Sequence, residues 1–190
     1  MEINANNKLT ITHLDDVSQL ADFNCGIDEM DVFIHNNMHL SLQNHYCNAY
    51  IVYIGETPVA MFALGFDSLT LDADSVQEMR LGQSANKPDV SQNYYETFFS
   101  KLHYPAMEIS YIAIDKKYRN IGIGSTLVDE IARMARNQDM AGCMFLTVEA
   151  YKSHNYSAVG FYTKCRFEPC ELPNPNKTTL RMFRALHTQP

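Results

Sequence analysis

The sequence has no tryptophan, and none of its apolar runs approaches the length of a membrane span. Val59–Gly65 and Ile109–Ile114 are strand-sized, far short of the ~20 residues that a bilayer-crossing helix needs. The opening Met1-Glu2-Ile3-Asn4 lacks a basic region followed by an apolar stretch, so no signal peptide is expected. Charge is also scarce. Only 19% of residues are charged while 46% are hydrophobic, a balance that excludes disorder as the main state. Cysteine is present but without a framework: five residues (Cys25, Cys47, Cys143, Cys165, Cys170), an odd number, with no second pair to match Cys165-x4-Cys170. Five reduced thiols in a cytoplasmic protein are expected, with no metal site and no membrane partner.

The 190 residues suffice for one α/β domain over 1–190 with a full core. Leu9–Leu14 alternates with period two and reads as a strand, followed by a short helix from Asp15 or Asp16 to about Phe23. Ile27, Met30, Ile34, Met38 and Leu42 form one apolar stripe, which predicts a single helix from Asp28 to about Asn44. Ala49–Ile54 and Val59–Phe66 flank Gly55-Glu56-Thr57-Pro58 as a hairpin. Residues 67–104 read as an insertion, with helical pieces expected near 72–81 and 94–102. Beyond it the pattern predicts a buried strand over 107–114, a helix over 122–137 and a strand over 144–148. A helix over 153–164 and strands over 166–171 and 178–185 complete the order.

Net charge is unevenly distributed. Residues 1–100 carry three basic against fourteen acidic side chains, a net of −11. Residues 101–190 carry twelve basic against eight acidic, a net of +4. The split is either random variation over one surface or the mark of an anionic ligand at the C-terminal half and a cationic or neutral one at the N-terminal half, and composition alone does not choose between them.

The strongest chemical signal is Ile112-Ala-Ile-Asp-Lys-Lys-Tyr-Arg-Asn-Ile-Gly-Ile-Gly124. A buried strand ends, a basic loop follows, and a helix opens on Arg119-x-x-Gly122-x-Gly124. Amide groups in a helix's first turn have no internal partners and carry the positive end of the dipole. Glycines there let the main chain approach phosphate oxygens closely. A dinucleotide-binding loop does not fit, since its third glycine position is Leu127 and no first βαβ unit precedes it. A P-loop does not fit either, because no Gly-Lys-Ser/Thr follows.

At these residues the sequence resembles the GNAT (GCN5-related N-acetyltransferase) superfamily. Arg119-Asn120-Ile121-Gly122-Ile123-Gly124 is similar to that family's Q/R-x-x-G-x-G/A loop, which cradles the acetyl-CoA pyrophosphate. Asn155-Tyr-Ser-Ala158-Val-Gly-Phe161-Tyr162-Thr-Lys-Cys-Arg166-Phe167 resembles a second family segment, with Arg166 standing where the family has glycine. The resemblance covers roughly residues 8–185. It implies a mixed central sheet of six to seven strands flanked by helices, whose splayed central strands hold acetyl-CoA as co-substrate. It further implies cofactor contacts at Ile112, Ala113, Ile114, Arg119, Asn120, Ile121, Gly122, Ile123, Gly124, Ser125, Asn155 and Tyr162, and a homodimer.

Acetyl transfer from a thioester requires an amine in its neutral form, so a group must accept its proton. Glu108, in Glu108-Ile-Ser-Tyr-Ile-Ala-Ile114, resembles the general-base glutamate of the histone-acetylating branch, and desolvation within an apolar strand is expected to raise its pKa. His103, Tyr104, Asp67 and water are the substitutes. Tyr162 is the family's usual general acid for the departing thiolate. Asn155 is either a cofactor contact or a helix N-cap. The i,i+4 pair His35 and His39 lacks the glutamate of a metalloprotease helix and reads as a solvated face. Tyr94-Tyr95 and Phe98-Phe99 read as pocket lining or packing.

With the cofactor in the basic half, the acidic half points to a cationic primary amine as acceptor: a polyamine-like metabolite, a lysine side chain or a peptide N-terminus. Two alternatives stay open. Phe23-Asn-Cys-Gly26, Asp31 and Phe33-Ile34 resemble the opening of the GNAT branch that acetylates aminoacyl-tRNA, although a net charge of −7 opposes nucleic-acid binding. The other is a sensor that binds acetyl-CoA without turnover.

Overall fold

Continuous apolar runs in the first half of the chain become strands buried on both faces, with Val59–Leu64 buried at every position, whereas the alternating Leu9–His13 stays partly exposed. In the computed structural model, residues 9–70, 101, 103–152, 156–170 and 178–186 are described. The fold is α/β, with seven strands in a mixed sheet flanked by helices. The residues group into two compact units, Met1–Phe66 with Met107–Gln138 and Asp67–Ala106 with Asp139–Pro190. The expected helices near 72–81 and 94–102 lie outside the described residues.

In the first unit, β1 (Leu9–His13) pairs antiparallel with β2 (Asn48–Ile54), and β2 with β3 (Thr57–Leu69), whose last residues pass into the second unit. The β2–β3 turn needs only Gly55 and Glu56, and Gly55 supplies the positive φ of 61° at its first position. Ala49 and Ile51 of β2 and Met61 and Ala63 of β3 share one core with Leu14, Leu20, Phe23, Ile34 and Met38. The alternate residues Val52, Ala60 and Phe62 are equally buried.

The helical stripe lies where expected, with Ile34 and Met38 at 0% exposure, but it spans two helices rather than one. α1 (Asp28–Asn36) and α2 (Met38–Gln43) are separated at Asn37, whose φ of −122° and ψ of −19° interrupt the helix. Consecutive asparagines at 36 and 37 compete for backbone hydrogen bonds and weaken the helix there. His35 and His39 therefore fall on different helices, and His35 Nε2 lies 3.0 Å from the Phe23 carbonyl oxygen. The short helix expected before them is a single 3-10 turn, Val17–Leu20, capped by Asp16.

β4 (Tyr104–Ile114) starts three residues earlier than the apolar pattern suggests. α3 (Ile123–Asn137) buries Ile123, Leu127, Val128, Ile131, Ala132 and Ala135, a stripe at helical spacing.

In the second unit, β5 (Phe145–Tyr151) pairs antiparallel with β7 (Thr179–Ala185), which also pairs with the two-residue β6 (Glu168–Pro169). The head of β4 joins them, with Met144 N–H donating to the Pro105 carbonyl at 2.9 Å. Leu69, Tyr104, Ala106 and Phe145 form the core here, with Phe183 and Cys170 against it. The same strands carry a polar network. Arg181 reaches Asp67 at 2.6 Å and Glu149 at 3.2 Å, Thr179 donates to Glu149, and the fully buried Thr147 donates to Asp67. Burial opposes the Arg181 charge, but the two carboxylates outweigh it and hold its pKa above the usual arginine range.

α4 (Val159–Lys164) begins later than expected, because Ser157 bridges Lys152 and the Ala158 N–H donates to the Tyr151 carbonyl. At the other end of α4, Arg166 adopts φ 67°, and its N–H donates to Thr163 O while Phe167 N–H donates to Tyr162 O, each at 3.0 Å. This is a Schellman closure completed by the contact of Phe167 with Tyr162, ring centroids 5.3 Å apart. The family glycine is absent from the sequence, yet the left-handed turn is retained. An L-residue there costs about 1–2 kcal/mol of backbone strain. Arg166→Gly is expected to stabilise the chain by about 0.5–1 kcal/mol in urea unfolding, after loss of the arginine's own contacts.

Candidate functional site

The end of β4 is fixed by Asp115, which is 6% exposed. Its N–H donates to Val59 O, and its carboxylate accepts from Lys117 N at 2.8 Å and Asn24 N at 3.4 Å. Lys116 N–H returns a hydrogen bond to Asn24 O at 2.9 Å. The Asn24–Gly26 turn is closed from its other side by Asp31, whose carboxylate accepts from Cys25 N at 2.7 Å and Gly26 N at 2.9 Å. Gly26 has φ 73°, and a Cβ there would meet Lys116 at 3.6 Å. Burial pushes the Cys25 thiol up to about 11, reinforced by its hydrogen bond with Asp31, so the thiol is neutral at physiological pH.

From this anchor the chain makes a 3-10 turn at Lys116–Tyr118, becomes extended at Arg119, and turns left-handed at Asn120 (φ 61°) and Gly122 (φ 89°). α3 then starts with no side-chain cap, and the Ser125 hydroxyl donates back to Gly122 O at 3.0 Å. The amides of Ile123, Gly124 and Ser125 occupy the first turn, where no intrahelical acceptor exists. Open space lies where a Cβ of Gly122 would be, and Lys116 and Lys117 are exposed nearby in sequence. Uncapped amides, a helix dipole and adjacent cations suit a diphosphate. These residues fit the pyrophosphate of acetyl-CoA.

Glu108, Ile112, Ala113 and Ile114 lie on β4 within the same unit. Glu108 is half-buried and accepts a hydrogen bond from the Ser110 hydroxyl at 3.1 Å. A Cβ on Gly65 would sit 3.3 Å from Ser110 Oγ, while Met61 and Ala63, on the same side of β3, share a core with Ala113 and Tyr111. Ser110 and Tyr111 thus face the same side, and the alternation of β4 slips by one residue between them, as at a bulge. Tyr111 stacks on Phe33 of α1 with centroids 4.1 Å apart.

Tyr162 belongs to the second unit, at 5% exposure, with its ring edge-on to Phe161 and Phe167. Burial raises its pKa, with Tyr156 and Cys165 adding to the effect, so the phenol keeps its proton at any physiological pH. Asn155 lies outside the described residues, as do Tyr94, Tyr95, Phe98 and Phe99. Of the substitute bases, Asp67 is occupied by Arg181 and Thr147, His103 Nδ1 lies 3.0 Å from Thr70 Oγ1, and Tyr104 is buried against Phe145.

The profile of the Acetyltransferase (GNAT) family matches residues 24–167. The chain belongs to the GNAT family of acetyltransferases. No curated protein sequence matches it. Among solved structures, a phenylalanine-for-tyrosine variant of KacT matches with TM-score 0.66 at 18% identity, covering 94% of this chain and 95% of that one. AtaT complexed with acetyl-methionyl-tRNAfMet matches with TM-score 0.63 at 20% identity, over 92% and 94% of the two chains. AtaTR bound with acetyl-CoA matches with TM-score 0.64 at 22% identity, over 94% of each. At such identities these likenesses establish the GNAT fold alone.

The GNAT loop was readable from its glycines and cations. The group formed by Gly65, Ser110, Phe33 and Tyr111 was not singled out, although an isolated glycine inside a strand is a signal of close approach. Among the described residues no group of three or more histidines, cysteines or carboxylates could hold a metal, and no helix is long and apolar enough to cross a membrane. At φ 89° an L-residue in place of Gly122 is strained by about 1–2 kcal/mol, which the loop relieves by moving its amides. Gly122→Ala is therefore expected to weaken acetyl-CoA binding about 5- to 30-fold by calorimetry, with an unchanged far-UV spectrum. Unaltered affinity would remove the loop from the cofactor site.

Proposed function

We propose that this GNAT enzyme transfers the acetyl group of acetyl-CoA to the α-amino group of an aminoacyl-tRNA. The observation that carries the reading is the likeness, along 92% of this chain, to AtaT complexed with acetyl-methionyl-tRNAfMet. The Phe23–Gly26, Asp31 and Phe33-Ile34 pattern supports it, and in the structure Asp31 holds that turn against the cofactor loop's anchor.

The chemistry suits an α-amine. Its reference pKa of about 7.7–8.0 leaves a usable neutral fraction at pH 7, whereas a lysine amine near 10.4 leaves almost none. In this reading Glu108 accepts the proton that the amine loses as its nitrogen attacks the thioester carbonyl, directly or through water. Tyr162 donates its phenolic proton to the sulfur as the carbon–sulfur bond breaks. The raised pKa of Tyr162 suits an acid and disqualifies it as a base. The main-chain amides at Ile123–Ser125, with Arg119 and the two lysines, hold the pyrophosphate.

A second reading, a free cationic amine as acceptor, is favoured by the exposed carboxylates Asp15, Asp16, Asp22, Asp28 and Glu29 in the N-terminal part. Nucleic acid would instead engage cations, which the described residues carry only from Lys101 onward. The two readings separate in one assay. Acetyl-CoA-dependent arrest of cell-free translation, with N-acetylated aminoacyl-tRNA detected by mass spectrometry, is expected for the tRNA reading. Saturable turnover of polyamines with no effect on translation would replace it with the second.

Tyr162→Phe is expected to lower kcat by about 10²- to 10⁴-fold while acetyl-CoA affinity stays the same, because the ring packing survives and only the proton is lost. Full activity in this variant would exclude Tyr162 as the acid.

A further inference from the structure

We propose that Ser110 is a positioning residue for Glu108, and that Gly65 is required because its missing side chain leaves room for the Ser110 hydroxyl. The inference rests on the reading of Glu108 as the acceptor of the amine proton. Three observations meet at this point. Ser110 Oγ donates to Glu108 Oε2 at 3.1 Å. A Cβ on Gly65 would lie 3.3 Å from that same Oγ and 3.3 Å from the Tyr46 carbonyl oxygen, tighter than ordinary van der Waals contact. Gly65 has no positive φ, so it is crowding by Ser110 and Tyr46, and not backbone freedom, that opposes a side chain there.

The slip in alternation before Tyr111 gives the arrangement its purpose. It places Ser110 on the side of the strand facing Gly65, where the hydroxyl is confined from across the sheet and the carboxylate two residues earlier is its acceptor. A hydroxyl donating to a carboxylate favours the anion over the acid and holds one rotamer, so Ser110 aims the carboxylate that is to accept the proton. Among the titratable groups coupled to Glu108 are the Cys47 thiol, just before β2, and the Tyr111 phenol on its own strand, with Tyr46 coupled to Tyr111. Burial raises both Cys47 and Tyr111, with the Glu108 charge adding to the effect, so both stay neutral where a carboxylate titrates.

The test is a titration of the full chain carrying carboxyl-13C glutamate, with Glu108→Gln identifying the Glu108 resonance. Ser110→Ala is expected to move that titration up by about 0.5–1 pH unit, and Ser110→Thr to restore it. Gly65→Ala is expected to reproduce the shift by displacing the hydroxyl, and the double variant to shift no further. With an acceptor in hand, the acidic limb of the kcat/KM profile moves by the same amount in Ser110→Ala, while acetyl-CoA affinity is unchanged. An unmoved Glu108 titration in Ser110→Ala overturns the positioning role, even if Glu108→Gln abolishes the acidic limb and so upholds Glu108 as base. A wild-type rate and pH profile in Glu108→Gln overturns both.

Discussion

Asp115 holds three separate pieces of chain to one point. Its amide is bound to β3 through Val59, and its carboxylate gathers the amides of Asn24 and Lys117. A buried carboxylate with backbone donors on both oxygens is costly to remove, since the amides would be left without partners. Because β4 stops here and nowhere else, the 3-10 turn, the two left-handed residues and the uncapped start of α3 all take their position from this residue. The Asn24–Gly26 turn is tied to the same place and closed by Asp31. The anion-binding loop and the start of α1 therefore share an anchor, which couples the geometry of one to the geometry of the other.

What was legible in the sequence was local. Strands β2 to β5 and helix α3 follow from apolar periodicity, and the cofactor loop from glycines and cations at a helix start. The family resemblance supplied the candidate general acid, Tyr162. Failures came where a distant or unusual backbone interaction decided the outcome. The break at Asn37 sits inside an uninterrupted apolar stripe, because the stripe reports which face is buried and not whether the hydrogen bonds continue. The late start of α4 depends on Ser157 bridging Lys152, a pairing with no trace in helical periodicity. Arg166, standing where the family has glycine, still adopts the left-handed conformation, which two backbone hydrogen bonds and the Phe167 contact maintain.

The candidate base shows the same limit more sharply. Glu108 could be chosen from its place in an apolar strand, but its relation to Ser110 and Gly65 could not. Residues 108 and 110 are neighbours on one face of any regular strand. That Tyr111 then joins them on that side follows from a slip of register, and that Gly65 opposes them follows from strand pairing across more than forty positions. Of the cations on the first unit's described residues, Lys116, Lys117 and Arg119 belong to the loop that suits a diphosphate, while Arg133 and Arg136 lie at the far end of α3.

Thr70 and His103 touch through their side chains, Oγ1 to Nδ1 at 3.0 Å, where β3 ends and shortly before β4 begins. Two residues more than thirty positions apart are joined there. Two ends already joined set the boundary condition for whatever lies between them. Lengthening or shortening a segment so pinned changes its closure entropy only logarithmically, by about 0.6 kcal/mol per doubling. The Thr70–His103 contact thus holds the end of β3 near the start of β4 at a separation set by two side chains and not by the length of chain that joins them.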